Sequence, residues 1–213
     1  MPRIKKFDLD PANADADGIA DALPTGTAWA FGTDAEWLAV SAGDGLAHQL
    51  VITTAGDEPG GNAPVLTLTG TDADGNTITD SVTLPNATTV ETAKYFLTVI
   101  SAAADAATID TMDIGWVDEI SSKTIMLNRH VDSGASFQYD VSGTISLKSQ
   151  VTFENIRENY TEQESLPWAT VTAAVTADSY EQYPRGAVAA RIVSNSYTDT
   201  AEVQVFISEE RRD

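Results

Sequence analysis

Apolar and polar residues alternate along most of this chain, with the two-residue period of strands that turn one face to a core. The longest case sets Phe137, Tyr139, Val141, Ile145 and Leu147 on one row, with Gln138, Asp140, Ser142, Thr144 and Ser146 on the other. Val151-Thr152-Phe153 continues the pattern. Gly143 falls in the apolar row, where a glycine predicts a kink or a close crossing. Leu46, His48, Leu50 and Ile52 alternate with polar or small residues. Val65 to Thr69 and Thr77 to Leu84 form two further runs, and Asp74-Gly75 between them supplies the backbone conformations of a hairpin reversal. In residues 108–117, Ile109 is out of step with Met112, Ile114 and Trp116, which predicts a bulge. Residues 168–175, 187–193 and 203–207 read as strands, the last with Val203, Val205 and Ile207 on one face. In Thr88 to Ile100 the spacing of Val90, Ala93, Leu97 and Ile100 is helical, while Thr, Tyr and Val favour a strand; the β surroundings decide for a strand. Ile125, Leu127 and Val131 predict a short edge run.

Turn signals divide these runs. Gly56 to Gly61 is a loop, Pro85-Asn86 closes the hairpin, and the polar residues 155–167 form a long connection ending at Pro167. About ten short strands with turns every 8 to 12 residues predict a sandwich or barrel. No fixed repeat period argues for a solenoid or propeller. A boundary is expected across Asp118 to Lys123. The predicted fold is all-β: two small antiparallel β-sandwich modules, Ig-like or jelly-roll, over residues 26–120 and 121–213. One continuous large sandwich is the alternative. Residues 1–25, polar and rich in Asp and Ala, predict a short helix or an N-terminal arm, either loosely ordered or laid on a neighbouring subunit. Trp29, Phe31, Trp37, Leu38 and Val40 must be covered by a core or by another subunit.

Composition supports a folded core and limits the partners. The chain has 213 residues, 42% of them hydrophobic, with four Trp. It carries 12 basic against 32 acidic residues, a net charge of −20. Nucleic-acid affinity comes largely from Lys and Arg displacing counterions, so direct DNA or RNA binding is not expected. Anionic membranes are disfavoured for the same reason. The acidity fits solubility, docking onto a basic partner, divalent cation binding or a saline habitat. The absence of cysteine excludes disulfides, thiolate nucleophiles and Cys-metal sites. Met1 to Lys6 is basic, but Phe7-Asp8-Leu9-Asp10 follows where a secretory signal needs an apolar stretch. No run approaches the roughly 18 apolar residues of a spanning helix. These features predict a soluble protein made in the cytoplasm.

Candidate chemistry is sparse. The two histidines, His48 and His130, read as ordinary strand residues; no Gly-x-Ser-x-Gly elbow accompanies them, and two lone His make a poor zinc site. Asp72, Asp74 and Asn76 have the alternate-oxygen look of a calcium loop. However, Gly75 precedes the third ligand and no Glu follows at the expected spacing, so a hairpin turn explains the same residues. Paired carboxylates are inevitable in so acidic a chain and point to no glycosidase. Trp116, Tyr139 and Trp168 lie on strand cores, where packing is the default. No glycine-rich phosphate loop leads into a helix. No cofactor is expected.

One stretch resembles something more specific. Val51-Ile52-Thr53, Leu66 to Asn76 (Leu-Thr-Leu-Thr-Gly-Thr-Asp-Ala-Asp-Gly-Asn), Val82 to Ala87 (Val-Thr-Leu-Pro-Asn-Ala), Lys94-Tyr95-Phe96 with Val99, and Ile109 to Gly115 lie within Gln49 to Gly115. Together they resemble a small β module of tailed-phage structural proteins. Phe137 to Leu147, Pro167-Trp168-Ala169 and Pro184 to Val193 resemble, more faintly, the second half of such proteins. The resemblance implies a non-enzymatic virion component, made in the host cytoplasm, acting as a head–tail connector, collar or capsid-decoration protein. Its implied partners are copies of itself and major capsid, portal or tail proteins. Trp29, Phe31, Trp37, Tyr160 and Tyr183 are the interface candidates. An adhesin-like or carbohydrate-binding module is the alternative, with Tyr160, Tyr180, Tyr183 and Tyr197 as its candidate contacts.

Overall fold

A computed structural model describes residues 3–56, 63–84, 88–127, 135–156, 160–198 and 200–209. Within them the protein is all-β. The strands are β1 (Arg3–Leu9), β2 (Asp15–Leu23), β3 (Ala28–Ala30), β4 (Ala47–Thr54), β5 (Val65–Thr71), β6 (Thr77–Thr83), β7 (Thr89–Phe96) and β8 (Thr98–Ala104). They continue with β9 (Met112–Ser121), β10 (Ile125–Met126), β11 (Ala135–Ser142), β12 (Ile145–Thr152), β13 (Ala169–Val175), β14 (Ser179–Gln182), β15 (Ala189–Tyr197) and β16 (Glu202–Glu209). Among the described residues of the long connection, Gln163–Ser165 form a 3₁₀ turn. No helix among the described residues is long and apolar enough to cross a membrane. Two compact units divide the chain: Asn13–Asp118, and Met1–Ala12 together with Glu119–Asp213.

In the unit Asn13–Asp118, β3, β8, β5 and β6 form one antiparallel sheet in that order. β4 pairs with β7, and β2 pairs irregularly with β9. The alternation in β5 and β6 buries Leu66, Leu68, Ile78 and Val82 on one face. They join Leu50, Ile52, Met112, Ile114 and Trp116 in one apolar cluster with Trp29 and Trp37. Burying such a side chain stabilises the fold by roughly 1.5–3 kcal/mol each. Gly70 is required where β5 passes β8, because a Cβ there would lie 1.9 Å from the Thr98 carbonyl oxygen. The register slips at this position, between Thr69 and Gly70.

In the other unit, β1, β16, β11 and β14 form a four-stranded antiparallel sheet. β16 is central; its alternation buries Val203, Val205 and Ile207. β12 lies between β13 and β15, and β10 and the end of β9 also pair with β15. Phe137, Tyr139, Leu147, Val151 and Ile192 are buried with them.

Four expectations are corrected. Arg3–Leu9 and Asp15–Leu23 are strands, not a short helix or an arm. β1 pairs along its whole length with β16, from Arg3 with Glu209 to Leu9 with Val203. β2 buries Ile19, Ala20 and Leu23. Its alternation is hidden because its register with β9 slips twice and Ala22 has a φ of 53°. The run Phe137 to Leu147 is two strands in different sheets. Gly143, with a φ of 78°, makes the turn, and a Cβ there would meet the Thr200 carbonyl oxygen at 2.5 Å. Thr88 to Ile100 is β as expected, but it breaks at Leu97 into β7 and β8, whose partners differ. Ile109 precedes β9 and is exposed, so its offset marks a turn instead of a bulge. The Pro85-Asn86 turn, most of the Gly56 to Gly61 loop, His130 and Val131 lie outside the described residues.

Candidate functional site

Apolar side chains that remain at the surface of ordered backbone are the features that fit a partner. In the unit Asn13–Asp118 the chain leaves β3 through a tight turn. Asp34 Oδ2 accepts hydrogen bonds from the Ala30 N–H (2.7 Å) and the Thr33 hydroxyl (3.0 Å), and the Trp37 N–H donates to the Asp34 carbonyl (3.2 Å). Phe31 sits on this turn, 50% exposed, and its N–H donates to the carbonyl of Ile100, itself 51% exposed. The next segment is pinned as well. The Leu38 N–H donates to the Ile19 carbonyl at 2.8 Å, and the Val99 N–H donates to the Val40 carbonyl at 2.7 Å. Leu38 is exposed. Phe31, Leu38 and Ile100 thus stand on backbone fastened to a sheet, which lowers the entropy lost when a partner covers them.

The other interface candidates are placed differently. Trp29 and Trp37 are buried in the apolar cluster and present no surface. The Trp29 indole donates to the Pro24 carbonyl at 2.9 Å, whereas the buried Trp37 indole N–H meets no acceptor among the described residues. Tyr160 is half-buried against Ile156, Leu166 and Ala189, its hydroxyl 3.4 Å from Thr124 Oγ1. Tyr183 is buried, its ring centroid 3.6 Å from that of Phe137 and its hydroxyl 3.2 Å from that of Tyr139. Burial disfavours both phenolates: it pushes the Tyr139 pKa up to about 12 and raises that of Tyr183 further. Tyr197 is buried too, while Tyr180 is 62% exposed. Tyr180 lines a shallow cleft of about 170 Å³ with Ser136, Gln182, Tyr183, Arg185 and Ser208.

The Asp72 loop is a turn closed on itself. Asp72 Oδ1 accepts from the N–H groups of Asp74 and Asn76, each at 2.9 Å, and the Asn76 amide donates to Oδ2 at 3.1 Å. Gly75, with a φ of 86°, completes the reversal. A cation would have to displace these donors from the carboxylate. Among the described residues no group of three or more His, Cys, Asp or Glu is placed to hold a metal ion. His48 is buried, with Nε2 2.8 Å from Asp44 Oδ2 and its ring tilted against Trp116.

Sequence reasoning passed over a polar network in the unit containing residues 119–213. Arg191, buried on β15, donates to Glu164 Oε1 at 2.5 Å and to Gln150 Oε1 at 2.8 Å, with its guanidinium 4.7 Å from the Trp168 ring centroid. Buried Gln163 donates to the Ser122 carbonyl (3.0 Å) and Thr124 Oγ1 (3.1 Å), and accepts from the Ser121 hydroxyl (3.1 Å). These bonds fasten the long connection to β15 and the end of β9. The signal available in the sequence was an arginine amid the apolar run Ala187 to Val193.

No family profile matches the chain, and no curated protein matches it. Among solved structures, the structure of infectious bursal disease virus Gx strain aligns at 10% identity with a TM-score of 0.23, covering 98% of this chain and 71% of that one. At that TM-score the likeness carries no argument about this chain.

Proposed function

We propose that this protein is a non-enzymatic structural component of a tailed-phage virion, present in many copies at the head–tail neck or on the capsid surface. The observation that carries the reading is the exposed set Phe31, Leu38 and Ile100, displayed on turns and strands held by backbone hydrogen bonds. Exposed apolar side chains held in this way suit contact with a copy or neighbour in a ring or lattice, where symmetry multiplies weak single contacts into a firm assembly. The resemblance of Gln49 to Gly115 to phage β modules supports the virion setting. The net charge of −20 favours docking onto a basic patch of capsid or portal, adding specificity and on-rate more than affinity.

Immunogold electron microscopy of purified particles tests it. Label at one vertex places the protein at the neck, and label over the shell makes it a decoration protein. Particles without label overturn the reading. A second reading, a carbohydrate-binding module, is favoured by the exposed Tyr180 in its polar cleft. It predicts glycan-array binding that is lost in Tyr180→Ala.

A further inference from the structure

A sheet edge can accept another chain because its outward N–H and C=O groups lack a ladder partner, and natural edges are guarded by charge, shortness or cover. Most edges here are guarded. β1 carries Arg3, Lys5, Lys6 and Asp8. β14 has four residues, one of them Glu181, and β3 has three. β6 carries Asp80, whose Oδ2 accepts the N–H groups of Ala93 (2.7 Å) and Lys94 (3.0 Å) on β7, and β7 itself carries Glu91 and Lys94.

β13 lacks charge, shortness and cover among the described residues, and two register breaks with β12 are its one irregularity. It is seven residues long, reads Ala-Thr-Val-Thr-Ala-Ala-Val, and among the described residues pairs only with β12. Ala169, Thr170, Ala173 and Ala174 are exposed, so side chains on both of its faces reach the surface. No charged residue occurs from Ser165 to Ala177, in a chain where 21% of residues are charged. β12 behind it carries a single charge, Lys148. Phe153, two residues beyond the Val151–Ala169 pair, is 53% exposed and adds apolar surface at one end of the edge.

We infer that β13 is an association edge and that its occupant is a second copy of this chain, paired β13 to β13 antiparallel across a two-fold axis. Such a pair is self-complementary, because each copy offers the other the same backbone groups. Charge argues for a copy as the occupant. Two chains of net charge −20 repel over most of their surfaces, and a charge-free seam is where strands can approach to the roughly 4.8 Å of a sheet with least repulsion. A basic partner drawn by the acidic surface would bind where the carboxylates are.

The inference rests on the reading of this protein as a multi-copy component, and single-cysteine cross-linking separates the two. The chain has no native cysteine, so an introduced one reports alone. Under mild oxidation, Thr172→Cys at the middle of β13 is expected to form disulfide-linked dimers at least tenfold faster than Thr79→Cys on the β6 edge. Thr170→Glu with Ala174→Glu, which sets carboxylates of two copies opposite each other when residue 172 faces its own copy, is expected to weaken dimerisation in sedimentation velocity at least tenfold, with an unchanged far-ultraviolet circular dichroism spectrum. Multimers that form without cross-linking at residue 172, or that tolerate both Glu substitutions, overturn the β13 seam and leave the multi-copy reading standing. A wild-type chain that stays monomeric at all concentrations and is absent from particles overturns both.

Discussion

The two units bury different things. Asn13–Asp118 packs around one apolar cluster in which Leu, Ile and Trp dominate, with His48, Asp72 and Thr92 also buried in the unit. In the unit of Met1–Ala12 and Glu119–Asp213, apolar strands share the interior with Arg191, Gln163, Ser194, Ser149 and the Tyr139–Tyr183 hydroxyl pair. An apolar cluster tolerates changes of shape, whereas a buried polar network holds only while every partner is present. The difference teaches where each unit is brittle.

The largest effect is expected at Arg191. Arg191→Ala leaves Glu164 and Gln150 without their donor and removes the guanidinium from Trp168. The expected loss is about 3–5 kcal/mol in urea unfolding of the full chain. Gly70→Ala should cost about 1–3 kcal/mol, because its Cβ meets backbone that cannot yield without moving β8. If Arg191→Ala proves milder than Gly70→Ala, the contrast between a polar-locked and an apolar-packed unit fails.

Alkali should separate the units as well. The Tyr139 pKa is pushed up to about 12 from 10.0 and that of Tyr183 is raised further, so the folded state retains protons that the unfolded chain releases. Stability from this pair is therefore complete below pH 10 and falls as pH rises from about 10 towards 12. For Tyr139 the shift corresponds to about 3 kcal/mol. Chemical unfolding at pH 9, 10 and 11, followed by the fluorescence of Trp168, should show the decline, and Tyr183→Phe should flatten it. The smallest effect is expected at the hairpin: Asp72→Ala should lower the melting temperature by an amount equivalent to about 1 kcal/mol, the value of a local turn bond, without any dependence on added calcium.

Legibility followed the same divide. β5, β6 and β16 were readable because each buries one face and meets its neighbours in nearly unbroken register. β1 and β2 were misread: Lys5 and Lys6 mask the alternation of the first, and two register slips scramble the second. Deleting residues 3–23 should therefore unfold the protein instead of trimming an arm. Gly143 predicts a kink or a close crossing, and its backbone does pass close to Thr200, yet alternation persists across the turn and conceals the change of sheet. Among the interface candidates, exposure separated Phe31 from Trp29 and Trp37, and spacing along the chain carries no information about which ring of such a group faces out. The Arg191 network joins residues far apart in sequence, so only the folded chain brings it together.

The account holds that this chain works by associating through surfaces such as the one bearing Phe31 and Ile100. Sedimentation velocity of the full chain over a wide concentration range tests this most directly. The wild type should associate beyond a dimer as concentration rises, and Phe31→Asp with Ile100→Asp should shift that further association at least tenfold upward while the fold persists. A wild-type chain that sediments as a monomer throughout, or a double variant that associates as the wild type does, would contradict it.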